Sequence, residues 1–355
     1  MAHADELQVA LIGFGLGGAA FHAPFIATTP GMHLAAVVTA SEERRDQVRR
    51  QYPDASIYDD AESLFPAANV DLVVVSTPNR THASLAQVAI EADVPVLVDK
   101  PLAHSAAAAR KLVSSAQRRG VLLTAYQNRR WDGDFRTLRR LVDDGSLGRV
   151  HRFESRFDRW RPDVRSTWKE SAEPEDAGGV LFDLGSHLID QALVLFGAVT
   201  HVYAELDGRR AGVDVEDDAF VALTHASGVR SQLWMSLVAA QEGPRFRVSG
   251  DRAAYTKWGT DVQEAALRSE QLPGSPGWGE EPESAWGRLG IGEDAHSVPT
   301  EPGDYGELYE QLGAALRGEA PNPVDPMDAV RTLEIIEAAR RSSIDRRVVE
   351  VRGDR

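Results

Sequence analysis

The chain contains no cysteine in 355 residues. Disulfides, thiolate zinc sites and cysteine nucleophiles are therefore excluded. It is also short of positive charge, with 39 basic against 54 acidic side chains and a formal charge of −15. That balance argues against nucleic acid or an anionic membrane as a partner. An anionic cofactor would have to be met by local positive groups. The N-terminus has acids but no basic n-region, and no uninterrupted run of 18 apolar residues stands out. Neither a signal peptide nor a membrane span is expected, and a cytoplasmic protein is. H-E-x-x-H, the P-loop, G-x-S-x-G and a tyrosine with lysine at the fourth following position are all missing, and no metal site is expected.

What is present is organised around Leu7–Phe21. A short apolar run, Val9 to Ile12, reads as a buried strand and stops at Gly13. Gly13, Gly15 and Gly18 then fall at the spacing G-x-G-x-x-G, with Phe14 inside it. In a strand–turn–helix context this spacing serves a dinucleotide: the first glycine turns the chain, the second admits a pyrophosphate, and the third lets the helix lie on the sheet. The helix N-terminus favours the anion. A helix is expected over Ala19–Thr28 and a second strand over Met32–Thr39. The tip of that strand selects the cofactor. Thr39 and Ser41 stand where an acid would hold a ribose hydroxyl, and Arg44 and Arg45 follow, which favours NADP over NAD. A solvated helix start with Glu42 and Glu43 at its positive end is the plainer alternative.

Strands and helices then alternate to Ala125, with strands at Ser56–Tyr58, Val70–Ser76, Val94–Val98 and Val121–Ala125. Such alternation implies a parallel, doubly wound α/β sheet, a Rossmann domain over residues 1–125. Thr77, Pro78, Asn79, His82 and Lys100 fall at the carboxyl ends of strands, where dinucleotides bind, and join the expected cofactor contacts. Lys100 is either a surface charge or a group aimed into the ligand crevice. From Tyr126 onward, long strand-like runs joined by short turns imply an α+β domain with a mostly antiparallel open sheet over residues 126–355. Residues 271–304 read as an irregular excursion. In the run Val229–Ala239, apolar residues occur on both faces around Trp234, which implies burial against a second copy and a homodimer or homotetramer. The alternative is one sheet covered on both faces within the chain.

One apolar stretch, Gly178 to Phe196, reads as a helix carrying Asp183 and His187 four residues apart. A carboxylate and an imidazole on one stripe can orient a substrate and move its proton, or can form a structural hydrogen-bonded pair.

With these residues assembled, the chain resembles the Gfo/Idh/MocA oxidoreductase family over essentially its whole length. The likeness lies in the Gly13–Gly18 fingerprint, in Asp99-Lys100-Pro101 where the family has Glu-Lys-Pro, and in the Gly178…Asp183…His187 helix. It implies hydride transfer between nicotinamide and a sugar or polyol carbon, with Lys100, Asp183 and His187 as the catalytic set. Three stretches, Phe21–Pro24, Asn128–Phe135 and Phe157–Pro162, look like the NADP-dependent scyllo-inositol dehydrogenase branch. Oxidising an alcohol needs a base and a positive group for the developing alkoxide. His187 is the expected proton carrier and Lys100 the cation, roles that could be exchanged, and Asp183 binds a substrate hydroxyl. Asn128, Arg129 and Trp160 are candidate substrate contacts, against Arg129 in a salt bridge and Trp160 as a packed aromatic. A nicotinamide-binding regulator without turnover, or an enzyme of a different sugar derivative, is the alternative.

Overall fold

In the computed structural model, which describes residues 6–165 and 167–351, the first apolar run is β1 (Leu7–Ile12). Val9 to Ile12 are all buried, as expected of a strand covered on both faces. The alternation continues through α1 (Ala23–Thr28), β2 (Met32–Val38), α2 (Glu42–Gln51), β3 (Ser56–Tyr58), α3 (Ala61–Ala67), β4 (Leu72–Val75), α4 (His82–Glu91), β5 (Val96–Val98), α5 (Ala106–Arg119) and β6 (Leu123–Ala125). The six strands form a parallel sheet of order β3-β2-β1-β4-β5-β6. Connections leave β1 in opposite directions, so the crevice beyond the carboxyl ends of β1 and β4 is the place for a ligand. Helix ends follow local chemistry. Ser105 Oγ accepts the Ala108 N–H at 3.2 Å, and Gly120 closes α5 at φ +68°.

The helix expected over Ala19–Thr28 is two pieces. Gly17–His22 is a wider π turn, in which the Ala23 N–H reaches the Gly18 carbonyl, and α1 starts only at Ala23. Pro24 has no N–H to extend an existing ladder, so the helix restarts around it.

The second sheet uses β7 (Val150–Asp158), β8 (Val199–Asp207), β9 (Asp218–His225), β10 (Arg230–Ser236), β11 (Phe246–Gly250), β12 (Ala254–Lys257), β13 (Gly287–Gly290), β14 (His296–Val298) and β15 (Val349–Glu350). Its order is β14-β13-β12-β11-β7-β10-β9-β8-β15, and only the β7–β10 pair is parallel. With it come α6 (Gly133–Asp143) and α7 (Ser186–Phe196). Leu233 and Met235 of β10 are wholly buried. A Cβ on Gly185, just before α7, would lie 2.8 Å from Met235 Sδ, so the helix lies tight on that face. Trp234 points the other way, half-exposed, 5.0 Å from the Phe220 ring and 4.0 Å beneath the Arg156 guanidinium.

One sequence expectation needs correction here. Residues 271–304 are not wholly irregular, because β13 and β14 extend the sheet from β12. Pro174–Phe196 is long and apolar enough to cross a membrane, but most of it is buried, as in a core helix.

The chain divides into two compact units: Met1–Asn128 with Gln263–Trp278 and Asp304–Val330, and Arg129–Val262 with Gly279–Gly303 and Arg331–Arg355. Two late segments therefore complete the first unit, whereas a boundary at 125/126 assigns them to the second. They bring α8 (Gln263–Arg268), α9 (Gly306–Leu316) and the first turn of α10 (Pro326–Asp345). Tyr309 of α9 stacks on Phe25 at 6.1 Å, and the Trp278 ring meets Phe25 edge-on at 6.0 Å. Thr124 Oγ1 donates to the Val324 carbonyl at 3.0 Å, tying β6 to the same segment.

Candidate active site

The glycine turn is built by steric demand. Gly13 has φ +99°, and a Cβ there would lie 2.3 Å from the Ser76 carbonyl oxygen. A Cβ on Gly18 would lie 2.0 Å from the Gly13 oxygen. Neither position tolerates a side chain. Gly15 differs: its missing Cβ would meet nothing closer than the Arg44 guanidinium, 3.8–3.9 Å away. Backbone open to an anion, at the start of a helical segment and with a cation beside it, fits a nicotinamide dinucleotide. Phe14 is buried against Tyr52, ring to ring at 6.2 Å, so it contributes packing and backbone.

At the tip of β2, Thr39 is buried and its Oγ1 accepts the Ser41 N–H at 3.4 Å. Ser41 caps α2 without a side-chain hydrogen bond. The two arginines separate cleanly. Arg45 Nε donates to the Thr39 carbonyl at 3.1 Å, and its guanidinium pairs with Glu42 and Asp59. Arg44 is exposed beside Gly15.

Beyond β4, Thr77 and Thr81 share a hydroxyl hydrogen bond at 2.8 Å, Pro78 is exposed and Asn79 is buried. His82 is buried with Nδ1 2.8 Å from the Pro101 carbonyl and Nε2 2.8 Å from the Thr77 carbonyl. Its ring braces the β4 loop against the β5 loop, with both nitrogens engaged by backbone. Lys100 is half-buried after β5 and is joined to Pro101 by a cis peptide bond. Its N–H donates to Asp99 Oδ1 at 2.8 Å. Burial disfavours the Asp99 carboxylate, but the His22 imidazole and the charges of His82 and Lys100 outweigh it and bring its pKa down to about 2.

In the second unit, Asp183 lies on a π turn, Leu181–Gly185, that runs into α7, and His187 is on the first turn of α7. Gly185 and Ser186, poor helix formers, stand at the junction. His187 is 7% exposed, with its ring edge-on to Phe157 at 6.4 Å. The Asp183 side chain is 23% exposed and accepts a hydrogen bond from Lys169 Nζ at 2.8 Å.

Sequence reasoning missed Lys169, which lies in a three-residue 3-10 turn, Trp168–Glu170, too short for periodicity to mark it. The structure holds that stretch firmly. The Gly179 N–H donates to the Lys169 carbonyl at 2.9 Å, and a Cβ on Gly178 would lie 2.3 Å from the Ser171 oxygen. Buried Arg210 pairs with Asp217 at 2.7 Å and donates to the Asp163 carbonyl at 3.0 Å.

Among the candidate substrate contacts, Asn128 is buried, and Arg129 is buried in an ion pair with Asp132 at 3.3 Å and lies 4.8 Å over the Phe157 ring. Its backbone carbonyl accepts from Gln191 at 2.9 Å. Arg130 makes a two-pronged pair with Asp190 at 2.6 and 2.8 Å, so this turn is fastened to the helix that carries His187. Trp160 is not a packed aromatic; it is 59% exposed and forms an isolated antiparallel bridge with Val238.

Comparison with known proteins agrees with this architecture. Residues 7–127 match the family model described as the oxidoreductase family, NAD-binding Rossmann fold, and residues 135–256 match the GFO/IDH/MocA C-terminal domain. The oxidoreductase YdgJ of Escherichia coli (strain K12) is 39% identical over 94% of this chain and 95% of its own. The scyllo-inositol 2-dehydrogenase (NADP(+)) IolW of Bacillus subtilis (strain 168) is 31% identical over 97% of this chain and 96% of its own. The solved structure of the oxidoreductase yvaA from Bacillus subtilis superposes with a TM-score of 0.93 at 31% identity, covering 98% of this chain and 99% of that one. By its two matched domains and its full-length relatives, the chain belongs to the Gfo/Idh/MocA oxidoreductase family.

Proposed function

We propose that the protein is an NADP(H)-dependent dehydrogenase that moves a hydride between nicotinamide and a ring carbon of a cyclic polyol or sugar, with scyllo-inositol and its ketone as the favoured pair. The observation that carries this reading is the joint retention of Lys100 after β5 and of Asp183 and His187 around the start of α7. The likeness to IolW supports the substrate and the cofactor. The exposed Arg44 beside Gly15 supports a phosphorylated ribose.

When bound, the nicotinamide supplies the hydride acceptor or donor. The chain's own groups do the rest. The Lys100 ammonium stabilises negative charge developing on the substrate oxygen, an effect worth several kcal/mol where water is excluded. His187 takes the hydroxyl proton, as an imidazole can near neutral pH. Asp183 accepts a hydrogen bond from a substrate hydroxyl and fixes the ring. The opposite assignment of Lys100 and His187 uses the same atoms. Trp160 offers an exposed aromatic face of the kind that sugars stack on. The outer face of the second sheet, around Trp234 and Phe220, supports self-association.

A nicotinamide-binding regulator without turnover is the competing class, and a complete acid–base set argues against it. Following the reduced-nicotinamide absorbance band with a polyol and sugar panel separates the two. Turnover with a cyclic polyol at NADP(H) preference supports the proposal, and tight dinucleotide binding with no turnover on any member contradicts it.

A further inference from the structure

A row of side chains, buried except for half-buried Asp99, ends on the backbone of Lys100, and the chemistry above makes no use of most of it. The Tyr309 hydroxyl lies 2.6 Å from His22 Nδ1, and His22 Nε2 faces Asp99 Oδ2 at 3.6 Å. Asp99 Oδ1 accepts the Lys100 N–H at 2.8 Å, while Ser76 Oγ donates to Asp99 Oδ2 at 3.3 Å. His22 and Tyr309 are wholly buried, with the Tyr126 ring 4.2 Å from the imidazole. The Asp99 side chain is 24% exposed, and His82 and Lys100 are the other charged groups that bear on it. His22 comes from the Phe21–Pro24 stretch, to which the functional reading gives no task.

We propose that His22, backed by Tyr309, is a positioning residue that holds Asp99 as a permanent carboxylate and so keeps Lys100 aimed and charged for its reaction. The proposal rests on the catalytic reading of Lys100. The Tyr309 hydroxyl is pushed well above the ordinary tyrosine range by burial, then by Tyr126 and Asp99, and stays a donor at every working pH. Where it donates to Nδ1, the ring N–H lies on Nε2, the atom that faces Asp99. Burial is the largest single influence on Asp99 and opposes its charge. Without the imidazole, the carboxyl group loses the largest influence that favours its charge, and its pKa must rise. A neutral Asp99 is a weaker acceptor for the Lys100 N–H and no counter-charge for its ammonium.

The direct test needs no substrate. Dinucleotide-free protein labelled with carbon-13 at aspartate carboxyls is titrated by NMR from about pH 4 to about pH 8, with the Asp99 signal assigned through Asp99→Asn. The parent resonance should stay flat. In His22→Phe, which keeps a ring against Tyr126, it should titrate within that range. A flat resonance in His22→Phe overturns the proposal. Should His22→Phe fail to fold, Tyr309→Phe removes one oxygen atom and decides the matter: Asp99 titrating above the parent supports the proposal, and no change overturns it. Turnover is then read with scyllo-inositol and NADP(+) as probes. His22→Phe should keep kcat within about threefold at alkaline pH and lose roughly tenfold near pH 5, with KM little changed. An equal loss at every pH marks a structural role and contradicts the proposal. Lys100→Ala with parental turnover overturns the catalytic reading and, with it, the part assigned to Lys100, while the Asp99 resonance still reports the state of the carboxyl group.

Discussion

Arg44 and Arg45 are neighbours with different obligations. Arg45 is committed to the Thr39 carbonyl, Glu42 and Asp59, whereas Arg44 stands exposed beside Gly15. Replacing Arg44 by alanine and Ser41 by aspartate should move the kcat/KM ratio by at least about tenfold toward NAD, through loss of a phosphate partner and gain of a ribose-binding acid. Equal kcat/KM for the two dinucleotides in the unmodified protein contradicts this assignment. Both arginines were visible in the sequence, but which of them is occupied depends on Asp59, reached only through the β2–β3 pairing. Asp99 is the second residue whose environment decides its behaviour. Its pKa falls from 3.8 to about 2 on folding, so it stabilises the fold fully above the unfolded value and ceases to as pH falls through about 2. Thermal unfolding of Asp99→Asn should show a deficit on the order of 2 kcal/mol at neutral pH that closes toward pH 2. A deficit independent of pH assigns the loss to packing instead.

At the scale of elements, periodicity served well where strands bury their side chains, as in β1, β4 and β10. It failed at the two π turns. Gly17–His22 and Leu181–Gly185 carry His22 and Asp183, and an extra residue per turn leaves no mark on an apolar pattern. It failed again at Trp168–Glu170, a single 3-10 turn too short to leave a pattern. Gly178 is the checkpoint there, since a Cβ would strike the Ser171 carbonyl oxygen at 2.3 Å. Gly178→Ala should cost about 1–3 kcal/mol in chemical denaturation and lower kcat, because the displaced segment carries Lys169. Lys169→Met should behave differently. Its ion pair with Asp183 is half-exposed on the lysine side, so stability should fall by no more than about 1 kcal/mol. Turnover of a polyol should fall more than stability implies, with recovery in Lys169→Arg. Unchanged kinetics in Lys169→Met would make the pair a surface contact.

For the whole molecule, the sequence pattern does not reveal that α9 and the start of α10 complete the first core. An apolar stripe records that a face is buried, and contacts such as Phe25–Tyr309 and Thr124–Val324 assign these segments to the first unit. The outer face of the second sheet was legible earlier, from the alternation around Trp234. If that face binds a second copy, light scattering at micromolar concentration should give a dimer or tetramer, and a monomer near 38.7 kDa contradicts it. Lys100, Asp183 and His187 are the proposed catalytic set, and Lys100→Ala tests its first member most directly. Steady-state kinetics with scyllo-inositol and NADP(+), alongside a dinucleotide-binding titration, should show binding nearly intact and kcat lowered by on the order of 10²–10⁴. Turnover close to the parental rate with normal binding would make Lys100 a surface charge and contradict the mechanism.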